Sequence, residues 1–336
     1  MKVAAVQIKT RSGDLAYNLS HAEQLAVAAF EQGAQIVALP EFFTGMLAPN
    51  DTAYDVAMAA DRNLAVEMMT GLARRFSGSI GGSVLLADQG ELYNRYFFVT
   101  PSGAVHAHDK DLPTMWENAF YVGGTDDGVF DTELGGIGAA VCWELIRTQT
   151  LRRMKGRVDL VMTGTHWWHM PENWPVMRDL LKPIGQFNRY LSEQAPVEFA
   201  RRIGVPVVQA SHCGPLEGKY VLVPGTDLGF GYQTRFVGAT QIVDHTGFVQ
   251  AARNTSEGPG FVIADVEIGG EADPVIPYID YKFWLPELPL FHRLYWHQQN
   301  WACKSIYRRK GRALGLAAAE KNRAVTPNTP LSDAAE

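Results

Sequence analysis

The chain has 336 residues, a formal net charge of −6 at pH 7 and 46% hydrophobic residues. That length and apolar content supply a sizeable core, and the mildly acidic balance excludes the global basic field that draws proteins to nucleic acid or acidic membrane surfaces. Three cysteines, Cys142, Cys213 and Cys303, form no Cys-x-x-Cys pair and leave an odd count, which argues against a disulfide framework or zinc ribbon and fits a reducing cytoplasm.

Strand and helix signals then alternate. Lys2-Val-Ala-Ala-Val-Gln-Ile8 reads at once as a strand, without the basic start and apolar core of a signal peptide, and no run of about 18 apolar residues occurs. A helix is expected at 17–32, a strand at 35–39, a helix at 55–76, and strands near 78–86, 93–100 and 104–108. Strands near 129–132 and 137–142 precede a helix at 146–155, a strand at 158–163, a long helix over about 173–203, and strands at 205–211, 235–243, 247–251 and 261–266. This mixed order, with no repeat of fixed period, argues for a layered α/β domain. From Lys304 the chain is basic and then rich in Ala, Pro and Ser, which predicts an exposed or disordered tail.

Three segments carry candidate chemistry. Gly138-Ala-Ala-Val-Cys-Trp-Glu144 is an apolar strand ending on a thiol, where the following amides favour a thiolate and a developing oxyanion. An isolated cysteine is more often a core residue. This one is accompanied by a second strand that ends in a carboxylate, Ala-Leu-Pro-Glu41, and by His108-Asp-Lys110-Asp-Leu-Pro113-Thr114-Met-Trp-Glu117. A thiol, a strand-end carboxylate, and a lysine followed by a second carboxylate suit cysteine-dependent acyl transfer.

These segments resemble the nitrilase superfamily of carbon–nitrogen hydrolases, whose Glu, Lys, Cys order they share. The resemblance extends to the first strand, to Glu91-Leu-Tyr-Asn94 and to Phe236-Val-Gly238 through Asp244-His-Thr-Gly247, covering about residues 1–268. It implies a four-layer αββα sandwich, with Glu41 as base, Cys142 as nucleophile, Lys110 and the Trp143 backbone amide stabilising the oxyanion, and Glu117 orienting Lys110 or moving a proton. Trp116, Tyr121, Glu144, His166 and Trp167 are candidate pocket residues, with Glu144 equally open to holding a loop by hydrogen bonds. His166 and His169 have His-x-x-His spacing, but with no adjoining Glu or third ligand neither a metal nor an organic cofactor is expected. His212-Cys213 stands where many members carry Asn-Arg, so no role is transferred there.

Cys142-Trp143-Glu144 and the Lys110-x-x-Pro113-Thr114-x-x-Glu117 spacing look like the nitrilase branch, which converts a small nitrile to an acid and ammonia through thioimidate and thioester intermediates. Leu145, where nitrilases usually have His, and the altered glycine run Tyr121–Gly128 keep an amidase or N-carbamoyl amidohydrolase open as the alternative. A catalytically silent binding module is the reading from another class; a hyper-reactive thiol would discriminate against it. The expected organisation is a hydrolase domain over 1–280 and an extension over 281–336. The aromatic residues of 283–291 and 294–296 either cross to a partner in a homodimer or higher homo-oligomer, as the resemblance implies, or cover the chain's own core.

Overall fold

The computed structural model describes residues 1–226, 228–269 and 289–325, apart from the side chains of Phe291 and His292. The first half comprises β1 (Lys2–Ile8), α1 (Leu15–Glu31), β2 (Ile36–Ala38), a short β3 (Met58–Ala59), α2 (Leu64–Phe76), β4 (Ser79–Asp88), β5 (Glu91–Val99) and β6 (Val105–Asp109). Next come β7 (Val129–Thr132), β8 (Gly135–Ala139), α3 (Thr148–Met154), β9 (Leu160–Thr165), α4 (Arg178–Ile203) and β10 (Val207–His212). The hairpin β11 (Pro215–Val221) and β12 (Gly229–Arg235) leads to β13 (Thr240–Val243), β14 (Val249–Arg253), β15 (Gly260–Asp265) and the helices α5 (Leu290–Ile306) and α6 (Arg312–Arg323).

The strands build two arms. One runs β6-β5-β4-β2-β1, with β15 antiparallel to β1; the other runs β10-β9-β8-β7, extended beyond β10 by antiparallel β13 and β14. They join where Gln7 and Ile8 pair with Ser211 and His212. β9 and β10 are buried along their whole length, as expected for parallel strands covered on both faces. α1 and α2 pack on the first arm, and α4 packs on the second with α3 against it, which gives the αββα order of layers.

Several expected elements are cut by local chemistry. The helix expected at 55–76 starts only at Leu64, because the Asn63 side chain accepts from Ala65 N and Val66 N and caps it there. The strand expected at 235–243 breaks at Gly238 and Ala239, whose φ values of 81° and 68° turn the chain out of the hairpin and into the second arm. The hairpin itself lies where the sequence predicts no strand, because its strands are glycine-interrupted and largely solvent-facing.

The stretch from Lys304 is not a loose tail up to Arg323: it is helical, with Ile306, Tyr307, Ala318 and Ala319 buried. The Tyr307 hydroxyl accepts from Leu92 N at 3.0 Å and donates to Glu91 at 2.5 Å, and Lys310 pairs with Asp51. Average composition concealed an apolar stripe of helical period. Tyr295 and Trp296 are buried against their own chain, whereas Leu294 and Trp301 are exposed. The division at 280 and the aromatics of 283–288 lie outside the described residues. Among the described residues no helix is long and apolar enough to cross a membrane.

Candidate active site

Each of three loops that meet at one end of the arms contains a non-glycine residue in the left-handed region: Phe42 (φ 51°), Met115 (φ 52°) and Cys142 (φ 56°). Such backbone costs roughly 1–3 kcal/mol per residue and is held only by its surroundings. Glu41 follows β2, Lys110 follows β6, and Cys142 follows β8 at the start of the tight turn Cys142–Ile146. Gly164 lets β9 press against the Glu41 turn, since a Cβ there would sit 2.2 Å from Glu41 N.

Glu41 is fully buried. Its Oε1 accepts from Lys110 Nζ at 2.8 Å and from Asn94 Nδ2 at 2.8 Å, and its Oε2 accepts from His166 N at 2.8 Å. Lys110 Nζ also donates to Glu117 Oε2 at 2.7 Å, an oxygen that accepts further bonds from Thr114 N and the Tyr121 hydroxyl. Glu117 Oε1 is buried with no hydrogen-bond partner among the described residues. Carboxylate oxygens of Glu41 and Glu117 and the Cys142 sulfur lie within 4.8 Å of one another. The Lys110 ammonium occupies the space between the two carboxylates, where it makes the neutralising contacts that a bound cation would otherwise supply.

Burial sets the electrostatics. It pushes the Glu41 carboxyl up to about 7 against the opposing pull of Lys110, with Glu117 adding to the rise. The Cys142 thiol is likewise pushed well above its usual value, by burial first and Glu41 second. Lys110 loses by burial but gains more from Glu117 and Glu41, so its ammonium is held well above the ordinary lysine value. The resting site therefore combines a neutral thiol, a fixed cation, and a carboxyl poised near neutrality.

The remaining candidates divide. Trp167 lines a small chamber beside Cys142 together with Thr114, Met115, Glu117, Trp143, Trp168, Met170, Asn188 and Tyr295. Trp116, expected in the pocket, lies behind that wall, stacked on Trp168 at 4.6 Å with Tyr232 at its edge. Tyr121 reaches the site only through its 2.5 Å bond to Glu117. His166 contributes its backbone N–H to Glu41, while its ring accepts from Leu47 N at 3.2 Å and is kept neutral by burial, His212 and Lys110. His166 and His169 share no metal-ligating cluster among the described residues.

Glu144, also a pocket candidate, faces away from the chamber. Its Oε2 accepts from Val141 N at 2.7 Å and contacts His108 Nε2 at 3.0 Å, while Oε1 accepts from Asp111 N at 3.1 Å and Arg153 Nη2 at 2.7 Å. One buried carboxylate thus ties the Cys142 turn to the Lys110 loop. Burial opposes the charge on His108, but Glu144 and Asp126 overcome it and raise the imidazole to about 10.

The sequence offered no role for several of these residues. Asn94 steadies Glu41, and His212 Nε2 donates to the Glu41 carbonyl at 2.6 Å, with its Nδ1 3.2 Å from the Thr10 hydroxyl. Asn300 of α5 accepts from Met115 N and Asn118 Nδ2, both at 2.7 Å, and so anchors the Glu117 turn from 185 residues away. Only the fold brings Tyr295 and Asn300 to the site; no local sequence signal marks them.

The fold and this constellation define the class, and the carbon-nitrogen hydrolase family model matches residues 2–270: the chain belongs to that family. It is similar to Nitrilase 3 of Arabidopsis thaliana, 30% identical over 167 residues (43% of this chain, 47% of that protein). It is also similar to the omega-amidase YafV of Escherichia coli, 28% identical over 174 residues (51% and 63%). The aligned stretch spans about half the length of the curated nitrilase. In three dimensions the chain resembles Nit3 of Saccharomyces cerevisiae, with TM-score 0.58 and 19% identity over 81% of this chain and 91% of that one. An amidase from Nesterenkonia sp. superposes with TM-score 0.55 and 19% identity over 82% and 92%.

Proposed function

We propose that the chain hydrolyses a non-peptide carbon–nitrogen bond through a Cys142 thioester. The supporting observation is that Glu41, Lys110 and Glu117 converge on one thiol in a buried chamber. Glu41, with a pKa near neutrality, accepts the Cys142 proton as sulfur attacks the substrate carbon. Lys110 and the Trp143 amide stabilise the negative charge that develops on nitrogen or oxygen. With a nitrile, the proton passes to nitrogen to give a thioimidate; water adds, the carbon–nitrogen bond breaks, and ammonia leaves a thioester. A second water, deprotonated by Glu41, frees the acid and returns the proton to sulfur. Glu117 orients Lys110, and its remaining oxygen is available to accept an N–H of the substrate.

Nitrile is the substrate favoured by the Cys142-Trp143-Glu144 triplet and the spacing from Lys110 to Glu117. The omega-amidase and Nesterenkonia amidase similarities support an amide by the same route, entering at the tetrahedral stage and releasing ammonia directly. Ammonia release from a panel of nitriles and their matching amides separates the two. Cys142→Ala is expected to abolish release from either set while circular dichroism stays native, and substantial turnover by the folded variant would refute the nucleophile role.

A further inference from the structure

We propose that a large apolar cleft beside the Cys142 chamber receives the acyl part of the substrate, with Met170 and Tyr295 as the threshold between the two. The proposal rests on the hydrolase reading above and names the substrate class: an uncharged, apolar acyl chain, aliphatic or aryl-terminated.

The chamber at Cys142 is about 10 Å³, room for roughly one water molecule. It holds a reacting carbon and little more. Met170 and Tyr295, which line it, also line an open cleft of about 830 Å³, within the range of small-molecule sites. Because the two spaces share those walls, the cleft is an adjoining space large enough for the substituents on the reacting carbon.

The chemistry of that space is one-sided. Its walls are chiefly Trp174, Leu181, Tyr220, Leu222, Phe230 and Tyr232, and no lining side chain is charged. Its single amide, Asn173, is already engaged: Nδ2 donates to Gly231 O and Oδ1 accepts from Gln233 N, each at 3.0 Å. The Tyr232 hydroxyl donates to His169 O at 2.9 Å and that of Tyr220 to Gln298 at 2.8 Å. A second carboxylate on the substrate would lose its water here and find no cation in exchange.

The cleft is also preformed. Trp174 meets Tyr220, Tyr232 and Phe230 edge-on at 5.3, 5.6 and 6.2 Å, an aromatic wall suited to alkyl or aryl groups. Backbone bonds from His169 N to Arg235 O and Glu172 N to Gln233 O, with the Trp174 indole on Gly231 O, pin the threshold loop to β12. At the threshold, Tyr295 stacks on Tyr220 at 5.8 Å, and the unbranched Met170 side chain can change rotamer at little cost.

The test measures kcat/KM for linear nitriles and amides from acetyl to octanoyl, for 3-phenylpropionyl, and for chains ending in a second carboxylate. Each methylene taken into the cleft is expected to raise kcat/KM roughly fourfold, or about 250-fold from acetyl to hexanoyl. The carboxylate-ended series should fall at least an order of magnitude below its apolar counterpart. Phe230→Glu should flatten the rise with chain length; Leu222→Glu, on the same wall at a position 41% exposed, should do the same. A kcat/KM that stays level or falls with length, while short substrates are still turned over, overturns the cleft and leaves the hydrolase reading standing. So does a variant that shifts the oligomeric state in sedimentation without altering the slope, since a second copy would then cover the cleft. No ammonia from any substrate, with Cys142 inert to iodoacetamide, removes the hydrolase reading and this proposal with it.

Discussion

Removing the Glu144 carboxylate should cost more than removing any other single side chain outside the chamber. It satisfies the Val141 and Asp111 amides and faces two cations, His108 and Arg153, and it is fully buried. His108 is itself fully buried and, at about 10, stays protonated throughout the neutral range. In Glu144→Ala the buried His108 keeps only Asp126 and Arg153 only Asp111, and two backbone donors lose their acceptor. Breaking a buried charge pair in this way costs about 3–5 kcal/mol, which at roughly 2 °C per kcal/mol for a chain this long corresponds to a fall in Tm of about 6–10 °C. Because the same oxygens fix the two loops bearing Cys142 and Lys110, kcat should fall while KM changes little. Urea unfolding followed by tryptophan fluorescence, alongside steady-state ammonia release, checks both. A Glu144→Ala protein within about 1 kcal/mol of wild type, the scale of an ordinary substitution, would refute the coupling of the two loops through this carboxylate.

Lys110→Met leaves two buried carboxylates without their cation and should lower turnover roughly 10²- to 10³-fold with the fold intact; near-normal turnover would exclude Lys110 from charge stabilisation. Tyr121→Phe removes one bond to Glu117 and should reduce kcat about tenfold, as for a hydrogen bond to a charged group, and an unchanged rate would show that bond to be dispensable. Since Glu41 must be ionised to take the thiol proton, kcat/KM should drop about tenfold per pH unit below about 7; a flat profile down to about pH 5 would assign the base elsewhere. Stability should also decline towards alkaline pH. Folded His108 titrates near 10 against 6.5 unfolded, so its contribution is complete below 6.5 and lost as pH rises through 10; Glu41, raised from 4.5 to about 7, loses its share in the same direction. Tm measured between neutral pH and about 10 should fall more steeply for wild type than for His108→Gln, and equal slopes would contradict the assignment.

That Cys142, Glu41 and Lys110 converge was legible in the sequence because each sits at the end of a strand or beside a tight turn, so the local pattern that forms the element also presents the group. Trp116 and Tyr121 lie off the chamber lining, and Glu144, open to either the pocket or a loop, takes the loop, for the converse reason. A buried aromatic and a substrate-facing aromatic have the same sequence signature, and a carboxylate two residues past Cys142 can point to either side of a turn. Which side it takes was decided by His108 and Arg153, charges on other elements. The hairpin of β11 and β12 was hidden by its glycines and polar faces, and the terminal helices by a basic composition whose buried stripe shows only when read at helical spacing.

The bond from Asn300 back to the Glu117 turn has a consequence for the order of events during synthesis. Among the described residues every strand of both arms, and the Cys142 turn, precede residue 269, so a growing polypeptide can form them while α5 is still to be made. Until residue 300 emerges, Met115 N and the Asn118 amide lack their acceptor and Tyr295 is not yet in place beside the thiol. A growing chain that has reached β15 thus holds Glu41, Lys110, Glu117 and Cys142 in a scaffold that still lacks the Asn300 acceptor and the Tyr295 wall, both of which arrive only with α5.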